Sequence, residues 1–205
     1  INPLENIAQL SEHMNIRRRD SFFCWITAPA RRLPGTIILG AQKTGTTSLF
    51  NYMIQHPEIA GSRPKEVHFF SEHYQKGQFW YRAHFPFTLT EQLVEASPSY
   101  LYLPFVPQRI KDLIPNARLI VMLRNPTNRA ISSYFHQVRA GNETLPIMDA
   151  LLMEEERIES DIKLLNSGNE NLSTNYRIYG YKNRGLYLKQ LQSYWNVFDK
   201  SQLLI

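Results

Sequence analysis

Cysteine is almost missing: Cys24 is the single one among 205 residues. One thiol excludes a disulfide within the chain and any multi-cysteine zinc site. Long apolar runs are missing as well. The longest are Thr36–Ala41 and Leu119–Leu123, far short of the roughly 20 residues a membrane-spanning helix needs. No internal repeat and no low-complexity tract occurs, which sets aside solenoids and biased linkers. Acidic residues are in the minority, 18 against 23 Lys plus Arg, so the formal net charge is +5. That balance leans toward anionic partners, with nucleic acid, nucleotide and acidic polymer all open. With 43% hydrophobic and 20% charged residues the chain is too apolar for disorder. Its length suits one domain with a short appendage. An initiator Met is also lacking. The chain opens Ile1-Asn2-Pro3 and stops in the apolar Leu203-Leu204-Ile205, so the expectation is a piece of a longer protein.

What is present alternates between strand and helix. Thr36–Gly40 reads as a buried strand, and Thr46–Gln55 as a helix closed before Pro57. Gln92–Glu95 and Leu119–Leu123 read as further strands. Helices are expected over about 107–114, from Pro126 through Val138, over 151–165 and around Leu186–Trp195. The strands are apolar throughout, as in a parallel sheet covered on both faces. The predicted class is therefore α/β: a P-loop-like, three-layer fold with a central parallel sheet flanked by helices. Residues 1–35 read as a polar, irregular lead-in and 36–205 as the domain proper. The lead-in carries Arg17–Arg19 and Arg31–Arg32. These are expected to form a solvated arm, with contact to an acidic acceptor as the sharper alternative.

The strongest local signal runs from Gly40 to Ser48, GAQKTGTTS, between a strand and a helix. Two glycines with four residues between them let backbone amides approach an anion. The helix start adds free N–H groups and the positive end of the dipole. Thr46, Thr47 and Ser48 add hydroxyls. Two features of a nucleotide hydrolase are absent. Thr46, not Lys, follows the second glycine, and the cation is Lys43 inside the loop. The strand at 119–123 ends in Arg124-Asn125-Pro126 rather than an Asp able to hold Mg²⁺. This is a phosphate site without a visible magnesium site.

Taken together, three motifs resemble the sulfotransferases that use 3′-phosphoadenosine 5′-phosphosulfate (PAPS). Lys43–Ser48 is similar to the family's 5′-phosphosulfate loop. Arg124-Asn125-Pro126, Arg129, Ser132 and Tyr134 are similar to its 3′-phosphate motif. Lys65–Phe70, KEVHFF, followed by Tyr74 and Trp80-Tyr81, resembles the carbohydrate branch, the heparan-sulfate-type enzymes and their bacterial relatives. The resemblance implies that Gln42, Lys43, Thr44, Gly45, Thr46, Thr47 and Ser48 hold the donor's 5′ end, and Arg124 and Ser132 its 3′-phosphate. It implies PAPS as donor, 3′-phosphoadenosine 5′-phosphate (PAP) as product, and no metal. Lys43 would stabilise charge growing on the leaving phosphate. Glu66 would take the acceptor's proton, or His68 would, since the small-molecule branch uses a histidine. In an extended segment the two point the same way. His73, His84 and His136 are weaker alternatives.

The acceptor side departs from the carbohydrate pattern. Ser71 stands where some relatives have Asp after the Phe-Phe pair, and Ala96 where some have Lys. The implied acceptor is a saccharide hydroxyl or amine. A small hydroxylated metabolite or lipid is the alternative. A P-loop kinase or NTPase, or a nucleotide-binding module without catalysis, are the competing classes. Nucleic acid is not an expected partner. The single cysteine leans toward a cytoplasmic protein, with the Golgi lumen as alternative for a eukaryotic chain.

Overall fold

The computed structural model describes residues 18–89 and 91–205. Five strands form one all-parallel sheet: β1 (Thr36–Gly40), β2 (Ile59–Gly61), β3 (Gln92–Ala96), β4 (Arg118–Val121) and β5 (Leu203–Leu204). Their order is β2-β3-β1-β4-β5. β1 is central, with Thr36 opposite Val94 on one side and Arg118 on the other. Ile37, Ile38 and Leu39 are completely buried. Ile37 and Leu39 join the larger core with Phe69, Phe70, Leu119 and Tyr194. Ile38, on the opposite face, packs with Phe50, Val94 and Ala96. Both faces are covered, which is why the strands lack polar alternation.

The helices are α1 (Arg18–Thr27), α2 (Thr46–Met53), α3 (Gly77–Arg82), α4 (Val106–Leu113), α5 (Pro126–Arg139), α6 (Ile147–Leu152), α7 (Glu154–Asn166), α8 (Thr174–Tyr179) and α9 (Tyr187–Trp195). α2 covers one face through Leu49, Phe50 and Met53. α4 and α9 cover the other through Val106, Ile110, Leu191 and Tyr194. The three-layer α/β class predicted from the sequence is the one found.

Several expectations need correcting. The lead-in is not irregular: α1 and a 3₁₀ turn at Ala28–Ala30 precede β1. Nor is Arg31, of its second basic pair, solvated. Arg31 is buried and donates to the Phe85 carbonyl, and Arg32 donates to the carbonyls of Leu89 and Glu91. Arg32 itself stays exposed. Arg17 lies outside the described residues, as do the side chains of Arg18 and Arg19. The helix expected over 151–165 is broken at Met153 into α6 and α7. Glu154, at the start of α7, is buried and accepts from the amides of Lys182 and Asn183 at 2.6 and 2.7 Å. Strand β2 gave no pattern to read, having three residues. β4 ends two residues early, at Val121: past a register shift against β1, Met122 exchanges bonds with Gly40 and Ala41.

Candidate active site

The C-terminal ends of β1 and β4 lie side by side, where open α/β sheets place ligands. The Met122 amide donates to the Gly40 carbonyl at 2.7 Å, and the Ala41 amide to the Met122 carbonyl at 2.9 Å. The chain then turns sharply. Gly40 has φ +146°, and a Cβ there would lie 2.7 Å from the Pro98 carbonyl oxygen, so only glycine fits. Gly45 (φ +96°) and Lys43 (φ +68°) are both left-handed. The Thr44 hydroxyl donates to the Ala41 carbonyl at 2.7 Å and closes the loop on itself. α2 starts at Thr46, so its first amides have no acceptor within the helix. The result is a cradle of amides, hydroxyls and one ammonium suited to a phosphate or sulfate.

Arg124 leaves β4 beside this cradle. It donates to the Lys43 carbonyl at 3.3 Å, and its own carbonyl accepts from the Tyr187 hydroxyl at 3.0 Å. Asn125 then caps α5, its side chain accepting from the Asn128 amide at 3.1 Å, with Pro126 in the first turn. Ser132 lies half-buried on that helix.

The opposite wall is the segment from Lys65 to His73. Lys65 Nζ is 2.6 Å from Glu66 Oε1, and Glu66 Oε2 is 3.4 Å from His68 Nε2. His68 Nδ1 lies 3.2 Å from Ser99 Oγ and 3.9 Å from Glu72 Oε1. Val67, between the two site residues, is buried. So Glu66 and His68 do share a side, as expected. His68 itself is left-handed (φ +54°), not extended, and opens a π turn over Phe69–His73. Ser71, the departure noted in the sequence, is buried and bonds the His68 carbonyl at 3.2 Å. A carboxylate still stands nearby, one residue later: Glu72, paired with Arg177 at 2.5 Å.

These walls enclose an open cavity of about 440 Å³, within the usual range for small-molecule sites. Gln42, Lys43, Gly45, Thr46 and Thr47 line one side; Glu66, His68, Pro98, Ser99 and His136 complete it. Thr44, Ser48, Arg124 and Ser132 are not part of that lining. Thr44 is spent on its own loop, Ser48 is exposed on α2, and Arg124 sits behind the Lys43 carbonyl.

Electrostatics separate the candidates. Burial pushes the Glu66 carboxyl up, but hydrogen bonds from His68 and Lys65, with their charges, hold it down at about 2. It is therefore a carboxylate at any ordinary pH. Partial burial lowers the His136 imidazole, and the charges of Lys43 and Arg139 push the same way. His84 is not a site residue. It is buried, its Nδ1 lies 2.8 Å from the Trp80 carbonyl, and desolvation lowers it to about 4. The aromatic cluster divides too. Phe69, Phe70, Trp80, Tyr81 and Phe85 are core, while Phe79 and Phe87 are about half exposed. Sequence reasoning gave no role to Lys65, Ser99 or Glu72. The charge pair Lys65-Glu66 was legible as neighbours; Glu72 comes from the π turn that His68 opens, and Ser99 from the loop after β3.

Heparan sulfate glucosamine 3-O-sulfotransferase 6 of Mus musculus is 39% identical over 126 residues, covering 60% of this chain and 36% of that protein. The bifunctional heparan sulfate N-deacetylase/N-sulfotransferase 3 of Homo sapiens is 38% identical over 115 residues, covering 52% of this chain and 13% of that protein. This chain thus spans about a third or less of those relatives. A crystal structure of a sulfotransferase from Alicyclobacillus acidocaldarius superposes with a TM-score of 0.71 at 34% identity, covering 84% of this chain and 72% of that one. The sulfotransferase domain family matches residues 33–205, and the chain belongs to that family.

Proposed function

We propose that the protein moves a sulfuryl group from PAPS to a hydroxyl, or less often an amine, of a saccharide, leaving PAP. The observation that carries this reading is one cavity lined by both Lys43 of the phosphate loop and the Glu66–His68 pair. The left-handed loop and the open amides of α2 fit a 5′-phosphosulfate, held by Lys43, Gly45, Thr46, Thr47 and Ser48. Arg124, with Ser132 on α5, would hold the 3′-phosphate by charge-assisted bonds. When bound, the donor supplies the sulfuryl group that moves in line to the acceptor oxygen. Lys43 stabilises the negative charge left behind. Glu66 accepts the acceptor's proton, and His68 Nε2 fixes the far carboxylate oxygen. An acceptor that displaces Lys65 and water from Glu66 makes that carboxylate more basic as it arrives. No step calls on a metal.

One observation favours a second assignment of the base. A carboxyl held near 2 is a weak proton acceptor. His68, with Glu66 on one ring nitrogen and Ser99 on the other, would then be the base and Glu66 its orienter.

The saccharide acceptor rests on relatives named for heparan sulfate. Compartment divides them: one is named a membrane-associated sulfotransferase, from Dictyostelium discoideum, while the solved neighbour is bacterial. The cytoplasmic expectation finds no support in these names. No helix among the described residues is long and apolar enough to cross a membrane.

The test is transfer of label from [³⁵S]PAPS to heparan-type oligosaccharides, with phenols and hydroxylated lipids alongside. The expected result is labelled saccharide, reduced at least about 100-fold by Lys43→Ala and by Glu66→Ala. Label that stays on PAPS across the panel, with PAP still bound, would leave a nucleotide-binding module. Mg²⁺-dependent ATP turnover would move the protein to the kinases.

A further inference from the structure

Beneath the acceptor wall lies a carboxylate that the proposed chemistry does not use. Glu95, near the end of β3, is completely buried. Its partners are three hydroxyls rather than a cation. Tyr81 donates to Oε2 at 2.5 Å, and Ser97 and Tyr100 donate to Oε1 at 2.6 and 2.8 Å. Each of these side chains is also completely buried.

Two of the three hydroxyls have a second duty. Ser97 Oγ accepts from the His68 amide at 3.0 Å, and the Tyr100 hydroxyl accepts from the Phe70 amide at 3.2 Å. A backbone N–H can only donate, so each hydroxyl must accept there. Each hydroxyl has one proton, and Glu95 takes it. The carboxylate therefore sets which way both hydroxyls face. The amides they hold flank the start of the π turn, where His68 adopts its left-handed conformation. That conformation is strained in a non-glycine residue and persists only where its surroundings impose it.

We propose that Glu95 is a positioning residue for the reaction. Buried among these hydroxyls, it orients Ser97 and Tyr100 so that their lone pairs anchor the His68 and Phe70 amides, and through the backbone it sets where Glu66 and His68 stand in the cavity. Burial pushes the Glu95 carboxyl up, and the three hydroxyls with the charge of His68 pull it only part of the way back. A chain of hydrogen bonds in so dry a site is strong when complete and costly when one member is missing. The proposal rests on the assignment of Glu66 and His68 to proton transfer.

The experiment compares Glu95→Gln, Ser97→Ala, Ser97→Thr and Glu66→Ala in the full chain. Gln keeps the shape but offers one acceptor oxygen and two N–H donors to three hydroxyls. Expected results are a fall in kcat of about 10- to 100-fold for Glu95→Gln and Ser97→Ala, as misplaced reacting groups give. PAP affinity by calorimetry stays within about twofold, because the phosphate loop is untouched, and Ser97→Thr, which restores the hydroxyl, recovers most of the rate. A readout that needs no acceptor is amide hydrogen exchange: His68 and Phe70 exchange faster in both deleterious variants, while Ile38 in β1 does not.

Three results would overturn the proposal. One is kcat and His68 exchange at the wild-type level in folded Glu95→Gln and Ser97→Ala. Another is a loss of PAP binding in step with rate, which marks a role in the fold alone. The third is a Ser97→Thr chain no better than Ser97→Ala. If Glu95→Gln does not fold, the Ser97 pair decides, since it leaves the carboxylate in place. Wild-type turnover in Glu66→Ala would instead overturn the base assignment, and the exchange result would still report on Glu95.

Discussion

The two walls of the cleft are built by different means. The phosphate wall is made of backbone: Gly40 and Gly45 at positive φ, bonds that Gly40 and Ala41 exchange with Met122 just past β4, and the open end of α2. The acceptor wall is made of side chains: Lys65, Glu66, His68 and Ser99, held by hydroxyls that a buried carboxylate organises. A backbone wall is specified by a few short-range choices of residue. A side-chain wall is specified by contacts between residues about 30 apart, as in His68 with Ser97. The first presents one geometry to an invariant anion. The second changes with each polar partner, so it is where specificity can vary while donor use stays fixed.

The largest test of this contrast is Gly40→Ala. The new methyl would meet the Pro98 carbonyl at 2.7 Å and Leu101 Cβ at 3.0 Å, on a backbone at φ +146°. Neither neighbour is a flexible side-chain end. The expected cost is about 2–5 kcal/mol of unfolding free energy, read as a lowered midpoint in urea, together with loss of PAP binding. A folded Gly40→Ala chain of wild-type stability that binds PAP normally would show that the wall does not depend on backbone geometry. Next in size is Arg124→Ala. Its guanidinium is exposed beside the loop, and a lost charge-assisted bond to phosphate costs about 1.5–3 kcal/mol. PAP should bind about 10- to 100-fold more weakly by calorimetry, while a donor analogue lacking the 3′-phosphate should bind wild type and variant alike. Equal loss for both ligands would place Arg124 elsewhere on the donor.

This division also explains what could be read from the chain. The apolar strand Thr36–Gly40, the glycine spacing and the run of hydroxyls are local, so β1, the loop and α2 were legible in place. So was α5, because Asn125 and Pro126 carry a helix start in sequence. Elements held by tertiary bonds were not. The break at Met153 depends on Glu154 reaching amides nearly thirty residues on. Arg31 looked like part of a solvated arm because nothing local reveals the Phe85 carbonyl that receives it. In the site, Lys43 and the pair Glu66 and His68 were legible from motif and alternation. Glu72 and Ser99 were not: the left-handed turn at His68 brings in Glu72, and Ser99 arrives from the loop after β3, 31 residues from His68. Glu95 reads from the sequence only as the last residue of a strand; its burial, and the hydroxyls around it, emerge only when β3 is packed.

The smallest effect sharpens the acceptor wall. Lys65 contributes both a hydrogen bond and a charge that hold the Glu66 carboxyl down against burial. Glu66 has an ordinary value of 4.5 and sits at about 2 in the folded chain. Its pairing therefore stabilises the fold above pH 4.5, and that contribution is lost as pH falls from there toward 2. Lys65→Met removes the ammonium but keeps an apolar stem, so desolvation is opposed by His68 alone and the carboxyl rises. At neutral pH Glu66 stays ionised, so kcat should change by less than about threefold, since a base of somewhat higher pKa alters proton transfer only modestly. The acid limb of the pH–rate profile should move to higher pH, because protonation of a less stabilised carboxylate now intrudes earlier. An acid limb that does not move would assign it to another group. If that limb instead vanishes in His68→Gln, the proton goes to the imidazole, and the acceptor wall works with Glu66 as its orienter.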